Sequence, residues 1–421
     1  MHAIEKILAK ASGKPAVSTG EIVSAKVDFA EINDLYLQTI YSFWEMGGKT
    51  VWDKDRLAFI LDHYAPAPTI QSADIHQKMR QFSKDQRLTH HFDVDMGVCH
   101  QVMPEAGVIA PGYVILATDS HTTTHGAFGA LGTGVGATDM ATIMMTGEIW
   151  LRVPEIIEIR IDGTPPRGTY PKDVILHVLG HIKADGAVYK AIDFTGSYVD
   201  QLNVAGRMVL CNMAVEMGAK TAYMQPNQQV LDYVTPKARW DFEVMETDPG
   251  FTYSQRFHFD VDDLPPQIAA PSSVDNVYPI GEIEPVAVHQ GYIGTCTGGR
   301  LEDFAQAAEI LRGRHIPPYV RLIIIPASKQ VMTEALEQGY IQDLVAAGAT
   351  LSSPGCGPCL GAHQGVLSPG EVCITASNRN FPGRMGSTSA SLFLASPATV
   401  AASVLMGRIT DPRTLEGRDV G

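Results

Sequence analysis

Five short apolar runs in this chain stop abruptly at polar, chemically capable residues. Leu57 to Leu61 runs into Asp62-His63, and Tyr113 to Ala117 into Asp119-Ser120-His121. Tyr292-Ile293 enters a loop holding Cys296, Ala349 to Leu351 leads to Cys356, and Val372 to Thr375 leads to Asn378-Arg379. Runs of this length read as buried strands, and helical patterns separate them. Asp139 caps a helix expected through Leu151, with Ile143, Met144 and Ile149 as core positions. Pro171 opens another, through Lys183. Lys329 to Gln338 and Ile341 to Ala347 bracket Gly339, just after the strongly apolar Leu322 to Ile325. Strands alternating with helices indicate an α/β fold. In α/β sheets ligands sit beyond the carboxyl ends of the strands, so these junctions fit one site collected from distant parts of the chain. Loops are commonly polar in any case, so each junction needs its own chemical argument.

A length of 421 residues accommodates about three domains. Pro154 and the Pro165-Pro166 turn mark a first boundary, and the Asp-, Pro- and Ser-rich stretch 247–285 ends at a second. The expected units are 1–154, 155–283 and 284–421, the last carrying the loop cysteines. The formal charge of −14 argues against nucleic acid and anionic membrane surfaces as partners, since both reward a basic face. No apolar stretch reaches membrane length. Six irregularly spaced cysteines do not make a disulfide framework, which points to a reducing, cytoplasmic setting. Residues 1–13 read as an amphipathic helix stopped by Gly13; with Glu5 and no Arg, it does not resemble a transit peptide.

In Pro354-Gly355-Cys356-Gly357-Pro358-Cys359, two cysteines with two residues between them can grip one metal centre. The surrounding Gly and Pro let the backbone bend close to it. Alone, the pair could be a zinc half-site or a redox couple. A second Cys-x-x-Cys is absent, and a redox pair would normally open a helix. With Cys296 the count is three, which suits an iron–sulfur cluster with one iron free of protein sulfur. Cys99, Cys211 and Cys373 read as structural. Asp62-His63 and Asp119-Ser120-His121 each pair a carboxylate with an imidazole, and no Gly-x-Ser-x-Gly elbow surrounds Ser120. His100 is a lone imidazole. Glu216, in an otherwise apolar helix after Cys211, calls for a partner such as an imidazolium. Arg379 and Arg384 place two guanidinium groups on a Gly/Pro-bent loop, which suits a dicarboxylate. Three patterns are set aside. His177 and His181 lack the Glu of a zincin. The glycines from Gly129 to Gly136 depart from a nucleotide-binding loop. Met140, Met144 and Met145 read as core.

Taken together, Thr295-Cys296-Thr297, the Cys356/Cys359 loop, Asp119-Ser120-His121, Cys211-Asn212-Met213 with Glu216, and Asn378-Arg379-Asn380-Phe381 with Gly383-Arg384 resemble the aconitase superfamily nearly end to end. The length is similar to the compact large subunits of 3-isopropylmalate dehydratase and homoaconitase. The resemblance implies three α/β domains around a [4Fe-4S] cluster, without the fourth, swivel domain. It implies Cys296, Cys356 and Cys359 as cluster ligands. It further implies three carboxylate–imidazole pairs, Asp62 with His63, Asp119 with His100, and Glu216 with His121. Ser120, Asn378, Arg379, Arg384 and Gln38 fall at substrate-binding positions. Gly298 stands where Asn is more common in the family. No Gly-Ser-Ser-Arg signature occurs, so the serine base and swivel domain are expected on a separate small subunit. The implied activity is a hydro-lyase acting on a malate-type di- or tricarboxylic acid, foremost the 2-/3-isopropylmalate isomerisation of leucine biosynthesis. Homoaconitase or 2,3-dimethylmalate dehydratase is the alternative. From other classes, an iron–sulfur electron carrier or sensor would need a fourth ligand and would not need the paired acids and arginines. A structural zinc protein would hold zinc without sulfide.

Overall fold

The computed structural model describes residues 1–415; residues 416–421 of the third expected unit lie outside the described residues. Three sheets built mainly of parallel strands make the framework, with a short antiparallel ribbon beside them. The first is five-stranded, in the order His90–Phe92, Leu57–Ile60, Phe29–Asn33, Val114–Ala117 and Leu131–Gly134, all parallel. Leu57–Ile60 and Val114–Ala117 are buried along their whole length, as strands covered on both faces must be, which is why they read as unbroken apolar runs. The second sheet is four-stranded and parallel: Thr221–Tyr223, Ala191–Thr195, Ile156–Asp162 and Gln255–Asp260. The third is seven-stranded, running Val277–Pro279, Gln267–Ala269, Ser391–Leu394, Val372–Thr375, Gln290–Ile293, Arg321–Ile324 and Ala349–Leu351. Its first two strands pair antiparallel and the rest parallel.

In the five-stranded sheet, the chain lays strands outward on one side of Phe29–Asn33, then returns to the other side with Val114–Ala117. The seven-stranded sheet does the same about Gln290–Ile293 and Val372–Thr375. A crevice opens beyond the carboxyl ends of the strands at each reversal. The residues that follow those ends are Asp34 and Asp119 in one sheet, and Cys296 and Asn378 in the other.

Two expectations are corrected. The helix begun near Asp139 ends at Thr146 rather than at Leu151. Gly147 turns the chain at φ +69°, and Glu148–Arg152 forms a strand antiparallel to Ile22–Lys26. The period of two was present in the sequence: Ile149 and Leu151 face in, while Glu148, Trp150 and Arg152 face out. Glu216 is not on the helix; Val204–Met213 contains Cys211 and stops, and Glu216 sits on the tight turn Ala214–Met217. The chain also changes sheets between Asp260 and Gln267, ahead of the boundary expected at 283.

The glycines after Gly129 serve close approach. A Cβ on Gly132 would lie 2.2 Å from the Thr122 carbonyl oxygen, and one on Gly134 would lie 2.6 Å from that of Asp119. The strand Leu131–Gly134 thereby packs directly against the segment that carries Ser120 and His121. Among the described residues, no helix is long and apolar enough to cross a membrane.

One core strand breaks the apolar rule. Glu31, in Phe29–Asn33, is fully buried, and no nitrogen or oxygen donor reaches its carboxyl oxygens; the weakly donating Cys99 thiol is its neighbour. Burial, and after it the Asp62 carboxylate, push Glu31 up to about 8. Such a group keeps its proton in the native state at neutral pH and loses it on unfolding. Native stability therefore falls as pH rises from the ordinary carboxyl range toward 8, by on the order of 4 kcal/mol. In Glu31→Gln the neutral form is permanent. Urea melts of both proteins between pH 5 and pH 8 should show the variant gaining on the wild type by that amount; parallel curves would contradict a protonated Glu31.

Candidate active site

Asp119 is the hub. It follows the strand Val114–Ala117 and caps the turn Ser120–Phe128, its Oδ1 accepting from the His121 amide at 2.7 Å. Three imidazoles surround it: His100 Nε2 at 3.0 Å, His121 Nδ1 at 3.4 Å and His63 Nε2 at 3.5 Å. Burial alone would raise this carboxyl, but the imidazoles, His100 foremost, hold it well below the usual range.

Two of these histidines are fixed from the other side as well, while His100 Nδ1 is buried without a hydrogen-bond partner. His63 Nδ1 lies 2.6 Å from Asp62 Oδ1, and Asp62 Oδ2 accepts the Cys99 amide at 2.9 Å. Burial, the largest single influence, disfavours a charged His63 ring, but Asp62, Cys356 and Asp119 together outweigh it and hold the imidazole well above its ordinary range. His121 Nε2 lies 2.8 Å from Glu216 Oε1. The same oxygen accepts Arg379 Nε at 2.7 Å, while Arg379 Nη2 donates to Ser120 Oγ at 3.0 Å. All three carboxylate–imidazole pairs expected from the sequence are thus in hydrogen-bond contact within one cluster.

The thiols border this cluster. Cys296 sits on the short turn Thr295–Gly298, where Thr295 adopts φ +69°. Cys356 is joined to the histidine side, because its amide donates to the Asp62 carbonyl at 2.9 Å. Ligand atoms of Asp62, His63 and Cys356 lie within 4.8 Å of one another. Gly357 takes φ +54°, and a Cβ there would come 2.2 Å from Ile325 Cδ1, so the bend requires glycine. Nitrogen donors point at the sulfurs: Asn212 Nδ2 at 3.1 Å and Asn378 Nδ2 at 3.5 Å from Cys296, and Arg384 Nη2 at 3.7 Å from Cys359. The two asparagine amides also bond to each other. Burial pushes Cys296 up to about 11 and raises Cys356 well above the thiol range. Three unpaired thiols, two of them with nitrogen donors already aimed at them, fit a sulfur-ligated metal cluster, whose binding would displace the protons. Cys211 and Cys373 are buried in the core, and Cys99 is buried beside the cluster, its amide bonded to Asp62.

Gln38 is not drawn in. It is exposed at the start of the helix Gln38–Glu45, and among the described residues no hydrogen bond ties it to the cluster. Gly298 has a steric reason: a Cβ would lie 2.3 Å from the Ala376 Cβ, so any larger residue would push the strand end of Val372–Thr375 away.

Other members carried little sequence signal. Asp34, fully buried, accepts the His63 amide at 3.0 Å, the Tyr64 amide at 2.9 Å and His76 Nε2 at 2.9 Å. It fixes the backbone that presents His63. Removing such an acceptor orphans buried donors at about 1–3 kcal/mol each. Asp34→Ala should therefore cost about 3 kcal/mol or more in urea denaturation, and Asp34→Asn less, because its amide oxygen still accepts. An Ala variant within about 0.5 kcal/mol of wild type, the ordinary range for a surface change, would refute this role.

Comparison with known proteins agrees with the geometry. The family model of aconitase (aconitate hydratase) matches residues 61–287 and 281–407. The 3-isopropylmalate dehydratase large subunit 1 of Methanopyrus kandleri is 49% identical over 410 residues, covering 97% of this chain and 98% of that protein. A probable methanogen homoaconitase large subunit of Methanothermobacter thermautotrophicus is 47% identical, covering 99% of each chain. Among solved structures, holo-form aconitase X of Thermococcus kodakaraensis superposes with a TM-score of 0.52 at 13% identity, covering 92% of this chain and 93% of that one, which is a likeness of fold alone. With a family model spanning most of the sequence and relatives near half identity over its whole length, this chain belongs to the aconitase family.

Proposed function

We propose that this chain is the large subunit of an iron–sulfur hydro-lyase that interconverts 2-isopropylmalate and 3-isopropylmalate, a step of leucine biosynthesis. The observation that carries the reading is the convergence of three carboxylate–imidazole pairs on a pocket bordered by three thiols and two guanidinium groups. The name of the 49%-identical relative supplies the substrate. The 47%-identical homoaconitase supports a second reading, a longer-chain malate-type acid at the same site.

In this reading Cys296, Cys356 and Cys359 hold a [4Fe-4S] cluster. When bound, such a cluster supplies Lewis acidity toward the substrate hydroxyl at the iron without a cysteine. The protein does the rest. Arg379 exchanges its Glu216 and Ser120 contacts for a substrate carboxylate, and Arg384 and Asn378 hold the malate core. His63, kept protonated by Asp62, gives its proton to the departing hydroxyl, which leaves as water. A serine on a separate small subunit takes the adjacent carbon-bound proton, and a double bond forms between the two carbons. Reversal with hydroxyl and hydrogen exchanged between those carbons completes the isomerisation. Six cysteines without a disulfide accord with a cytoplasmic location.

The test is anaerobic reconstitution of this chain with its small subunit, iron and sulfide, followed by side-by-side assay on isopropylmalate, homocitrate, citrate and dimethylmalate. Turnover is expected to be highest on isopropylmalate; preference for another of the four would replace the substrate assignment, and turnover of none would overturn the reading. His63→Ala should lower kcat about 10²–10⁴-fold, the usual contribution of a general acid, in protein that still folds and takes up its cluster; activity lost only through lost folding would leave the acid role unsupported. Cys359→Ser should lose the cluster spectrum and activity together. If it kept both, Cys359 would not be a ligand.

A further inference from the structure

Lys172 is 2% exposed and sits in the first turn of the helix Pro171–Ile182. Two costs attach to it. A buried ammonium loses its hydration, and the first turn of a helix is the positive end of the macrodipole, where a cation is repelled. Burial accordingly pulls its affinity for protons down to about 8.

Its partners show what these costs offset. Nζ donates to the carbonyl oxygens of Ser377 at 2.6 Å and Ala376 at 3.1 Å, and to Thr297 Oγ1 at 3.2 Å. Met213 Sδ lies at 3.9 Å. Thr297 Oγ1 itself donates to the Ala376 carbonyl at 2.9 Å. Ser377 directly precedes Asn378-Arg379, and Thr297 directly follows Cys296. One ammonium thus ties together the two loops that leave the reversal point of the seven-stranded sheet, and it does so from a helix outside that sheet. No carboxylate is among its hydrogen-bond partners; the ionisable groups acting on it at longer range are Cys296, Asp303, Cys359 and Glu216, the thiols being anionic only once a metal has displaced their protons. Carbonyls solvate a cation without neutralising it, so its field reaches the Cys296 and Cys359 sulfurs.

We propose that Lys172 is a positioning residue for the metal-binding thiols and the arginine loop, and that its fixed positive charge makes a cluster held there easier to reduce. The inference rests on the cluster reading above. It requires Lys172→Met, which keeps length and loses charge, and Lys172→Arg, which keeps charge. A cavity of about 220 Å³ lined by Lys172, Thr297 and Asp303 gives the longer side chain room.

Both variants and the wild type are assembled with the small subunit, loaded anaerobically and titrated potentiometrically with spectroscopic detection. In Lys172→Met the reduced-to-oxidised ratio at fixed potential should fall at least tenfold, about 59 mV for a one-electron couple, and kcat/KM should fall with it. Lys172→Arg should keep its ratio within about threefold of wild type, because the point charge persists where the geometry is only loosened. Lys172→Met loading with a wild-type potential would overturn the inference, as would Lys172→Arg shifting as far as Lys172→Met. If Lys172→Met does not fold, Lys172→Arg decides: an unchanged potential supports the assignment and a tenfold shift overturns it. A wild type that takes up no iron and sulfide overturns the cluster reading, and this inference with it.

Discussion

Everything at the centre of this protein depends on ionisable groups neutralising one another out of water. Asp119 meets three imidazoles, Glu216 meets His121 and Arg379, and Asp34 meets His76 and two amides. A buried charge without such partners would cost several kcal/mol. The pairing therefore does more than tune proton affinities. It dictates which loops must stand next to one another, and so fixes the arrangement of the sheets that carry them. Glu31 shows the limit of the scheme: with no cation left to pair with, it remains neutral instead.

The strands that end at the site were legible because parallel strands covered on both faces must be apolar throughout, and their polar successors stand out. Leu57–Ile60, Val114–Ala117 and Val372–Thr375 fall where the runs placed them. Residues 148–152 were misread because an apolar count does not distinguish a helix from a half-buried strand, while the alternation of Glu148, Ile149, Trp150, Leu151 and Arg152 does. Site residues with distinctive chemistry were visible as well. Asp34, His76 and Lys172 were not, because their importance lies in which backbone groups they reach. Lys172 touches a threonine 125 positions away and a carbonyl 205 positions away, and nothing local announces either.

Two sheets each turn back on themselves, and the two crevices are used for different chemistry. One presents carboxylates and imidazoles, the other thiols and a guanidinium loop. The Cys356 loop links them, its amide bonded to the Asp62 carbonyl and its own carbonyl to the Tyr292 hydroxyl. The carboxylate–imidazole cluster and the thiols thus stand on separate scaffolds that meet at one seam.

The contacts across that seam also bear on how the chain folds. Arg379 bonds Ser120 across 259 positions, and Lys172 bonds Ser377 across 205. Loop closures of such length are entropically expensive, and they are rewarded only once both ends are already structured. The surroundings of the thiols therefore draw on contacts between segments far apart in the chain. Cys296 takes one amide contact from Asn378, at its own sheet, and one from Asn212 on the helix Val204–Met213, so its surroundings are complete only when both segments are in place.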